Sequence, residues 1–407
     1  NPGSDADAVV DSQDGDAMED TTIDTPSELD TTVDSDESDS DAGAIPSDCF
    51  LPFDGGYDLA GLGLEVIPMD RPPTECGECC VQVSFANEEL TAPNTLDVWG
   101  RYLSYSTREA YCGSDCWNRI VLVDLSSGTE YLVDSRLWEP TVPGVIWEGI
   151  AHPTIYEDDL YYSHSTWTDV SGTEVLSCEI MHYSLATGTS DVAYAFDTCS
   201  DGCWCPSELD AFGSYLTWQD NRSGTAGGQR VHLLETETGI ETAISGESVG
   251  NPYIWDSFVA YDLFPTSLDT VCVFDIAAST TESLTDGIHD RWYIWIWESL
   301  ITWSDARAGG TQANQAYADI YMMDLADGIE IPVCTDPASQ FGSFVFGDLV
   351  VWSDLRNDPL YPNNYVAATN RDVYGYRIST GEEFQITDLP GKEWAMHLFD
   401  NHVFFLM

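Results

Sequence analysis

Three stretches of the chain set a carboxylate two residues before a guanidinium and two residues after a tryptophan. They are Trp218-Gln219-Asp220-Asn221-Arg222, Trp303-Ser304-Asp305-Ala306-Arg307 and Trp352-Ser353-Asp354-Leu355-Arg356. An Asp/Arg pair of this kind can clamp a polar ligand, because the guanidinium fork matches carboxylate and phosphate geometry. Repetition argues for another role. A catalytic or clamping group is needed once, whereas a feature recurring at wide, similar intervals belongs to a repeat architecture. Residues two apart on a strand share a face, so each Arg is expected to pair with carboxylates and carbonyls between neighbouring repeats. Trp218, Asp220, Arg222, Trp303, Asp305, Arg307, Trp352, Asp354 and Arg356 are therefore read as structural residues.

The other reactive side chains form no linear catalytic set. The seven histidines, at 152, 164, 182, 232, 289, 397 and 402, include no pair four apart and no His-Glu-x-x-His. No Gly-x-Ser-x-Gly elbow is present. With 71 acidic residues, close carboxylate pairs arise by chance, so none is singled out for glycoside chemistry. Such chemistry would need two or three acidic residues converging in a central funnel beside Trp or Tyr. No catalytic residue is assigned, and the expectation is a protein that is not an enzyme. Asn221-Arg222-Ser223 is a lone N-glycosylation triplet.

Twelve cysteines fall in local groups: Cys76, Cys79 and Cys80; Cys112 and Cys116; and Cys178 with Cys199, Cys203 and Cys205. The spacing for zinc, paired Cys-x-x-Cys with a nearby His, is missing, so disulfides are expected, Cys112 with Cys116 foremost. An even number leaves full pairing open. Disulfides imply an oxidising setting, extracellular, at the cell surface or periplasmic. The chain opens on Asn1 rather than Met with no signal-peptide core before it, which reads as a processed chain. No run approaches the roughly 18 apolar residues of a membrane span.

A formal charge of -58, from 71 acidic against 13 basic side chains, sets nucleic acids and anionic membrane surfaces aside as electrostatic partners. Divalent cations remain attractive, because Ca2+ prefers carboxylate oxygen. Much of the imbalance is local. Residues 1–48 are dense in Asp and Glu and hold no Lys, Arg, Trp, Tyr or Phe. Alone in water such a segment cannot bury enough to order itself. It does contain short β-forming patches around Val9, Val10, Ile23 and Val33, able to add to an open sheet edge. Asp11, Asp14, Asp16, Asp34 and Asp36 are weak Ca2+ candidates, since no full Asp-x-Asp-x-Asp-Gly loop is present. Residues 49–75, rich in Gly and Pro, read as a connector lying on the body.

From residue 76 to 407 the chain repeats one plan. An apolar strand, a tight turn and a strand ending in Trp or Tyr are followed by a second pair joined by Thr-Gly or Asp-Gly. The strand-ending aromatics are Tyr105, Tyr162, Trp218, Tyr261, Trp303 and Trp352, and His402-Val403-Phe404-Phe405 is a seventh such strand. Four short strands per roughly 40–57 residues describe a β-propeller. Seven blades are expected, or six if residues 76–92 lie outside. The last blade lacks two strands, which Val81 to Phe85 and Glu89-Leu90-Thr91 are expected to supply, so that both termini share a blade and no edge stays open.

Trp352-Ser353-Asp354-Leu355-Arg356-Asn357, Arg371-Asp372-Val373-Tyr374-Gly375-Tyr376 and Thr380 through Thr387 resemble the TolB-like propeller repeat of bacterial and archaeal cell-surface and periplasmic proteins. The resemblance spans about residues 95–407 and implies a propeller outside the cytoplasm, without implying one activity. The first functional expectation is an extracellular structural protein whose acidic arm joins it to further copies of itself, head to tail, in a filament or surface layer. The alternative is a monomeric binding propeller for Ca2+, a glycan or a protein, with the inserts at 308–318 and 358–370 building a contact surface. A propeller glycosidase or lyase is the third.

Overall fold

Strands fill this chain because β-branched and aromatic residues alternate with polar ones, and each run stops at a Gly, Asp or Asn turn. The computed structural model describes residues 56–67, 75–77, 80–81, 88–90, 96–109, 117–137, 142, 144–200, 203–222, 228–246, 249–263, 270–309, 317–359, 369–389, 391–400 and 402–406. Among them there is no helix, and the fold is all-β.

Five sheets are four-stranded antiparallel meanders. Their first strands are Val145–Tyr156, Ser207–Phe212, Val249–Trp255, Arg291–Trp297 and Gln340–Phe346. Leu96–Trp99 holds that position in an earlier, six-stranded sheet, and Trp394–Phe399 pairs only with His402–Leu406. Consecutive first strands lie side by side, and Trp394–Phe399 packs against both Gln340–Phe346 and Leu96–Trp99. Sheets radiating from adjacent inner strands are the blades of a β-propeller. Blades are counted below from the one that begins at Leu96.

Two local devices recur. The outer hairpins turn through Gly128, Gly188, Gly239, Gly328 and Gly381, with φ of 67–68°, a conformation glycine adopts without a Cβ penalty. The inner strands carry a β-bulge. Ser207 and Asp210 pair with Gln219 and Thr217, so two residues face Trp218 alone; the same count sets two residues against Tyr162, Tyr261, Trp303 and Trp352. Within it His152, Glu208, Asn251 and Tyr293 take positive φ, where non-glycine residues are uncommon. The strand-ending aromatics of the sequence are thus the residues that fill the space opposite each bulge.

The core lies in layers between blades. Val271 and Val273 of the fourth blade pack on Ile294, Ile296 and Trp303 of the fifth, all buried. Each such side chain contributes about 1.5–3 kcal/mol. In the second blade the first three strands run to twelve residues each. Part of the connector lies on the first blade: Leu59 is buried with Tyr102 and Ile120, and Glu65–Val66 pairs with Tyr131 and Leu132.

The strands expected to complete the last blade go elsewhere. Glu88–Leu90 pairs with Thr107 to Glu109 of the first blade, and Glu75–Gly77 pairs with Cys80–Val81. The physical reason is an open ladder: Tyr102–Glu109 has eight residues, Leu96–Trp99 covers only its first four, and Glu88–Leu90 takes up the free end.

Candidate functional site

The inner strands bring their side chains together in two tiers. At the turn end one aromatic ring comes from each: Trp99, Tyr156, Phe212, Trp255, Trp297, Phe346 and Phe399. Neighbouring centroids lie 4.3, 4.8, 4.9, 5.9, 5.3 and 4.9 Å apart, and Phe399 returns to Trp99 at 5.5 Å. Trp99 also reaches across to Trp255 at 5.8 Å, so the middle of this tier is filled.

Two residues earlier on each strand stands a mixed tier: Asp97, Thr154, Asp210, Tyr253, Trp295, Phe344 and His397. Asp97 Oδ2 accepts from Thr154 Oγ1 and from the Ile155 N–H, both at 2.8 Å, and Asp97 Oδ1 lies 3.1 Å from His397 Nε2. Asp210 Oδ2 accepts the Ile254 N–H at 2.7 Å. Each carboxylate therefore ties its own blade to the next inner strand, a structural duty that alone would justify its presence. Trp295 packs on Tyr253 at 4.7 Å and on His397 at 4.8 Å. Above this tier, toward the bulges, His152 Nδ1 lies 3.9 Å from Glu208 Oε1, with side chains 17% and 13% exposed, so solvent reaches both.

The electrostatics sort these groups. Burial, and then the Asp97 carboxylate, push Asp210 well above the usual carboxylate range. Burial opposes ionisation of Asp97 too, but the His397 imidazole and the Ile155 and Thr154 donors outweigh it and hold Asp97 below that range. Burial lowers His152 to about 4. Burial, then the Glu208 and Asp210 carboxylates, raise the Tyr253 phenol. Burial thus favours the neutral forms of Asp210 and His152, while the donors around Asp97 favour its carboxylate. Seven buried polar atoms of the described inner strands have no hydrogen-bond partner: His152 Nδ1, Ser207 Oγ, Trp292 Nε1, Trp297 Nε1, Gln340 Oε1, Ser343 Oγ and His397 Nδ1.

None of these residues was singled out by sequence. They come one per repeat, and their types differ at equivalent positions. Aligning the inner strands on the aromatic two residues later was the signal that could have found them.

The Asp-x-Arg residues lie elsewhere and do not converge. Trp218 Nε1 donates to Asp220 at 2.8 Å, Trp303 Nε1 to Asp305 at 3.2 Å and Trp352 Nε1 to Asp354 at 2.9 Å. Arg222, Arg307 and Arg356 each donate to that Asp at 2.6 Å. Each also pairs with a glutamate on the outermost strand of its own blade: Glu241, Glu330 and Glu383. Pairing between repeats was expected. The ion pairs are instead within blades, because each Arg sits just past its strand and folds back along its own sheet. Arg356 adds a neighbour's atom, Cys334 Sγ at 3.1 Å, and Arg222 lies over the neighbouring blade's Phe196 ring at 4.8 Å.

Histidines also lie between carboxylates. His164 bridges Glu148 and Glu179 at 2.7 and 3.2 Å, and His182 bridges Asp159 and Asp191 at 2.7 and 2.8 Å. His232 lies between Glu241 at 2.5 Å and Asp220 at 3.4 Å. A cleft of about 300 Å³ at the junction of the fourth and fifth blades has Arg291 and Arg307 in its wall, but Asp286, Asp305 and Glu330 engage them.

Cys178 is bonded to Cys205 and Cys199 to Cys203, while Cys272 and Cys334 are free and buried, so the cysteines are not all paired. The free pair sits on strands of different blades. Cys112 and Cys116, Cys79, and the arm residues Val9, Val10, Ile23, Val33, Asp11, Asp14, Asp16, Asp34 and Asp36 lie outside the described residues, as do the side chains of Cys76 and Cys80. Asn221 is buried just past the Ser207–Phe212/Tyr215–Asp220 hairpin. Among the described residues no three His, Cys, Asp or Glu side chains gather as a metal site, and no helix is long and apolar enough to cross a membrane.

No protein-family model matches the chain, and no curated protein does. Solved structures do. It is similar to the acylaminoacyl peptidase of Pyrococcus horikoshii at 11% identity and TM-score 0.51, over 78% of this chain and 48% of that one. The β-propeller domain of the trilobed protease from Pyrococcus furiosus matches at 11% identity and TM-score 0.49, over 78% and 89%. The oligogalacturonate lyase of Vibrio parahaemolyticus matches at 12% identity and TM-score 0.48, over 75% and 80%. At these identities the likeness speaks for the fold, a β-propeller. It also overturns the expectation of a non-enzyme. That expectation rested on the lack of a linear motif, and this fold occurs in enzymes such as the peptidase.

Proposed function

We propose that the chain is a seven-bladed propeller hydrolase of an oxidising compartment, acting in its channel on a neutral carbohydrate. One juxtaposition carries this reading: Asp210, whose burial favours the protonated form, and His152, held neutral, sit on adjacent inner strands, with Tyr253 and Trp295 in the same tier as Asp210. A proton donor and a proton acceptor then coexist at neutral pH, the condition for general acid–base catalysis. Asp210 would protonate the leaving glycosidic oxygen as its C–O bond breaks. His152 would take the proton of the attacking water, leaving a hydroxyl on the sugar. The indole and phenol offer an apolar face to sugar C–H groups, and the unpartnered His152 Nδ1 and His397 Nδ1 offer hydrogen bonds to hydroxyls. Asp97, Glu208 and the charge of -58 disfavour uronates and phosphosugars. The filled aromatic tier makes the channel blind, which favours a chain end over a mid-chain segment.

The circuit of seven aromatic rings supports seven blades closed on themselves. The disulfides Cys178–Cys205 and Cys199–Cys203 support the oxidising compartment, extracellular or periplasmic. The finer resemblance to TolB-like propellers rests on the Trp-x-Asp-x-Arg repeats.

Reducing-end release from neutral oligosaccharides tests the reading. Asp210→Asn and His152→Gln should each lower the rate by about 10²–10⁴-fold with folding intact. The acid limb of the rate should fall near pH 4, because His152 gains a proton as pH drops through about 4 and ceases to be a base. Saturable quenching of tryptophan fluorescence by the same sugars, without turnover, would instead favour a monomeric binding propeller. Neither binding nor turnover would end the carbohydrate reading.

Assembly through residues 1–48 is a separate proposal resting on their composition and β-forming patches. Deleting them should convert a sedimenting oligomer or filament to single propellers; a full chain that already sediments as a monomer rules the arm out as an assembly element.

A further inference from the structure

The third blade departs from the fifth and sixth at one buried position. In those two the residue paired with the motif tryptophan on the next strand is a tyrosine: Tyr321 faces Trp303 and Tyr374 faces Trp352. The motif arginine lies over that ring, Arg307 at 3.8 Å and Arg356 at 4.0 Å. In the third blade the paired residue is His232, opposite Trp218 and stacked on it at 5.7 Å. Its Nδ1 lies 2.5 Å from Glu241 Oε1 and its Nε2 3.4 Å from Asp220 Oδ1, so a carboxylate faces each ring nitrogen. A neutral imidazole has one N–H and cannot donate to both; the imidazolium has two. The count of charges favours the imidazolium as well. Arg222 bonds both acids, and the Tyr194 hydroxyl of the second blade donates to Glu241 at 3.1 Å. With His232 charged, two cations meet two carboxylates. The Glu241 side chain is 17% exposed, against 30% for Glu330 and 32% for Glu383, so it has less water to fall back on.

We propose that His232 is a proton-loaded clasp: as the imidazolium it fastens the outermost strand of the third blade to the second, and it lets go as the medium turns alkaline. The clasp spans three strands, for Asp220 ends Tyr215–Asp220, His232 lies on Arg230–Glu235 and Glu241 on Ile240–Ala243. Burial opposes the charge on His232, but the hydrogen bonds to Asp220 and Glu241 outweigh it and raise the imidazole above its ordinary value. The hydrogen bond from His232 lowers Glu241 in turn. A histidine whose folded pKa is raised stabilises the fold fully below its unfolded value, about 6.5, and loses that contribution as pH rises through the folded one. Above that point Arg222 alone faces the two carboxylates, and Glu241, the more exposed of them, is the one released to solvent. The inner strand of this blade carries Glu208 and Asp210, but the clasp does not depend on their role.

The test compares the full chain with His232→Tyr, which installs the residue of the fifth and sixth blades. Thermal melts from about pH 5.5 to about pH 9 should show the Tm difference, wild type minus variant, falling by about 2 °C across the upper half of that range. His164 and His182 stay in both proteins and cancel in the difference. Histidine-selective NMR gives a second readout, with Glu241→Gln to assign the signal if the tyrosine variant fails to fold. One imidazole signal, lost in His232→Tyr, should titrate above the ordinary value, and Glu241→Gln should move its midpoint down by about one pH unit. A Tm difference that stays constant with pH, or a His232 signal that titrates at or below about 6.5, overturns the proposal.

Discussion

Asp305→Ala should lower the unfolding free energy by about 3–5 kcal/mol, measured by urea denaturation, and by more than Asp220→Ala or Asp354→Ala. All three aspartates are buried, accept a Trp N–H and hold an Arg two residues on. Asp305 also holds a second guanidinium: Arg291 Nε donates to it at 2.8 Å, and Arg291 is itself only 3% exposed. Removing Asp305 takes the buried partner from a buried cation and leaves Arg291 only the half-exposed Asp286 at 3.0 Å, so much of the cost is a poorly compensated charge. Asp354 has no second Arg, and Arg356 keeps Glu383 and some solvent. Asp220 has His232 at 3.4 Å, a longer contact. A cost for Asp305→Ala no greater than for Asp354→Ala would show that Arg291 does not depend on it. Asp305→Asn should fall between, since the amide oxygen keeps an acceptor and gives up the charge.

The contrast between this motif and the channel explains what a linear reading recovers. Trp303, Asp305 and Arg307 are two residues apart, lie on one strand and its exit, and bond to one another, so their spacing alone announces them. The hairpin glycines at 128, 188, 239, 328 and 381 are legible for the same reason: the turn that needs positive φ is local. The mixed tier is assembled across the repeats. Asp97 meets His397 only because the first and last inner strands are neighbours, and the equivalent positions run Asp97, Thr154, Asp210, Tyr253, Trp295, Phe344 and His397, so no repeat consensus contains them. Histidine bridges fail to show for a related reason. His182 meets Asp191 across a hairpin and Asp159 across the other ladder, and neither offset is a recognised spacing. The closing strand was misassigned because pattern identifies Glu88–Leu90 as strand-forming but not which free edge is nearest; the long second strand of the first blade offered one.

A double-mutant cycle on Trp99 and Phe399 should give a coupling of about 0.5–1.5 kcal/mol. Trp99 is the hub of the aromatic tier, in contact with Tyr156, Phe212, Trp255 and Phe399. Trp99→Ala alone should cost about 3–5 kcal/mol, because contacts on several sides are lost at once and the surrounding strands cannot close in. Phe399→Ala should cost less, since among the described residues that ring has two aromatic partners, Phe346 and Trp99. The coupling matters more than either loss. Trp99 stands on the first inner strand and Phe399 on the last, about 300 residues apart in sequence. A ring that stays shut makes their contact permanent and the two losses non-additive. A ring that opens at this seam leaves each ring packed on its own side, and the losses then add. Additivity within error would therefore remove the closed channel, and with it the blind geometry on which a chain-end substrate depends. A coupling in the stated range, matched by one between Asp97 and His397 in the tier above, would fix the seam as a working part of the site.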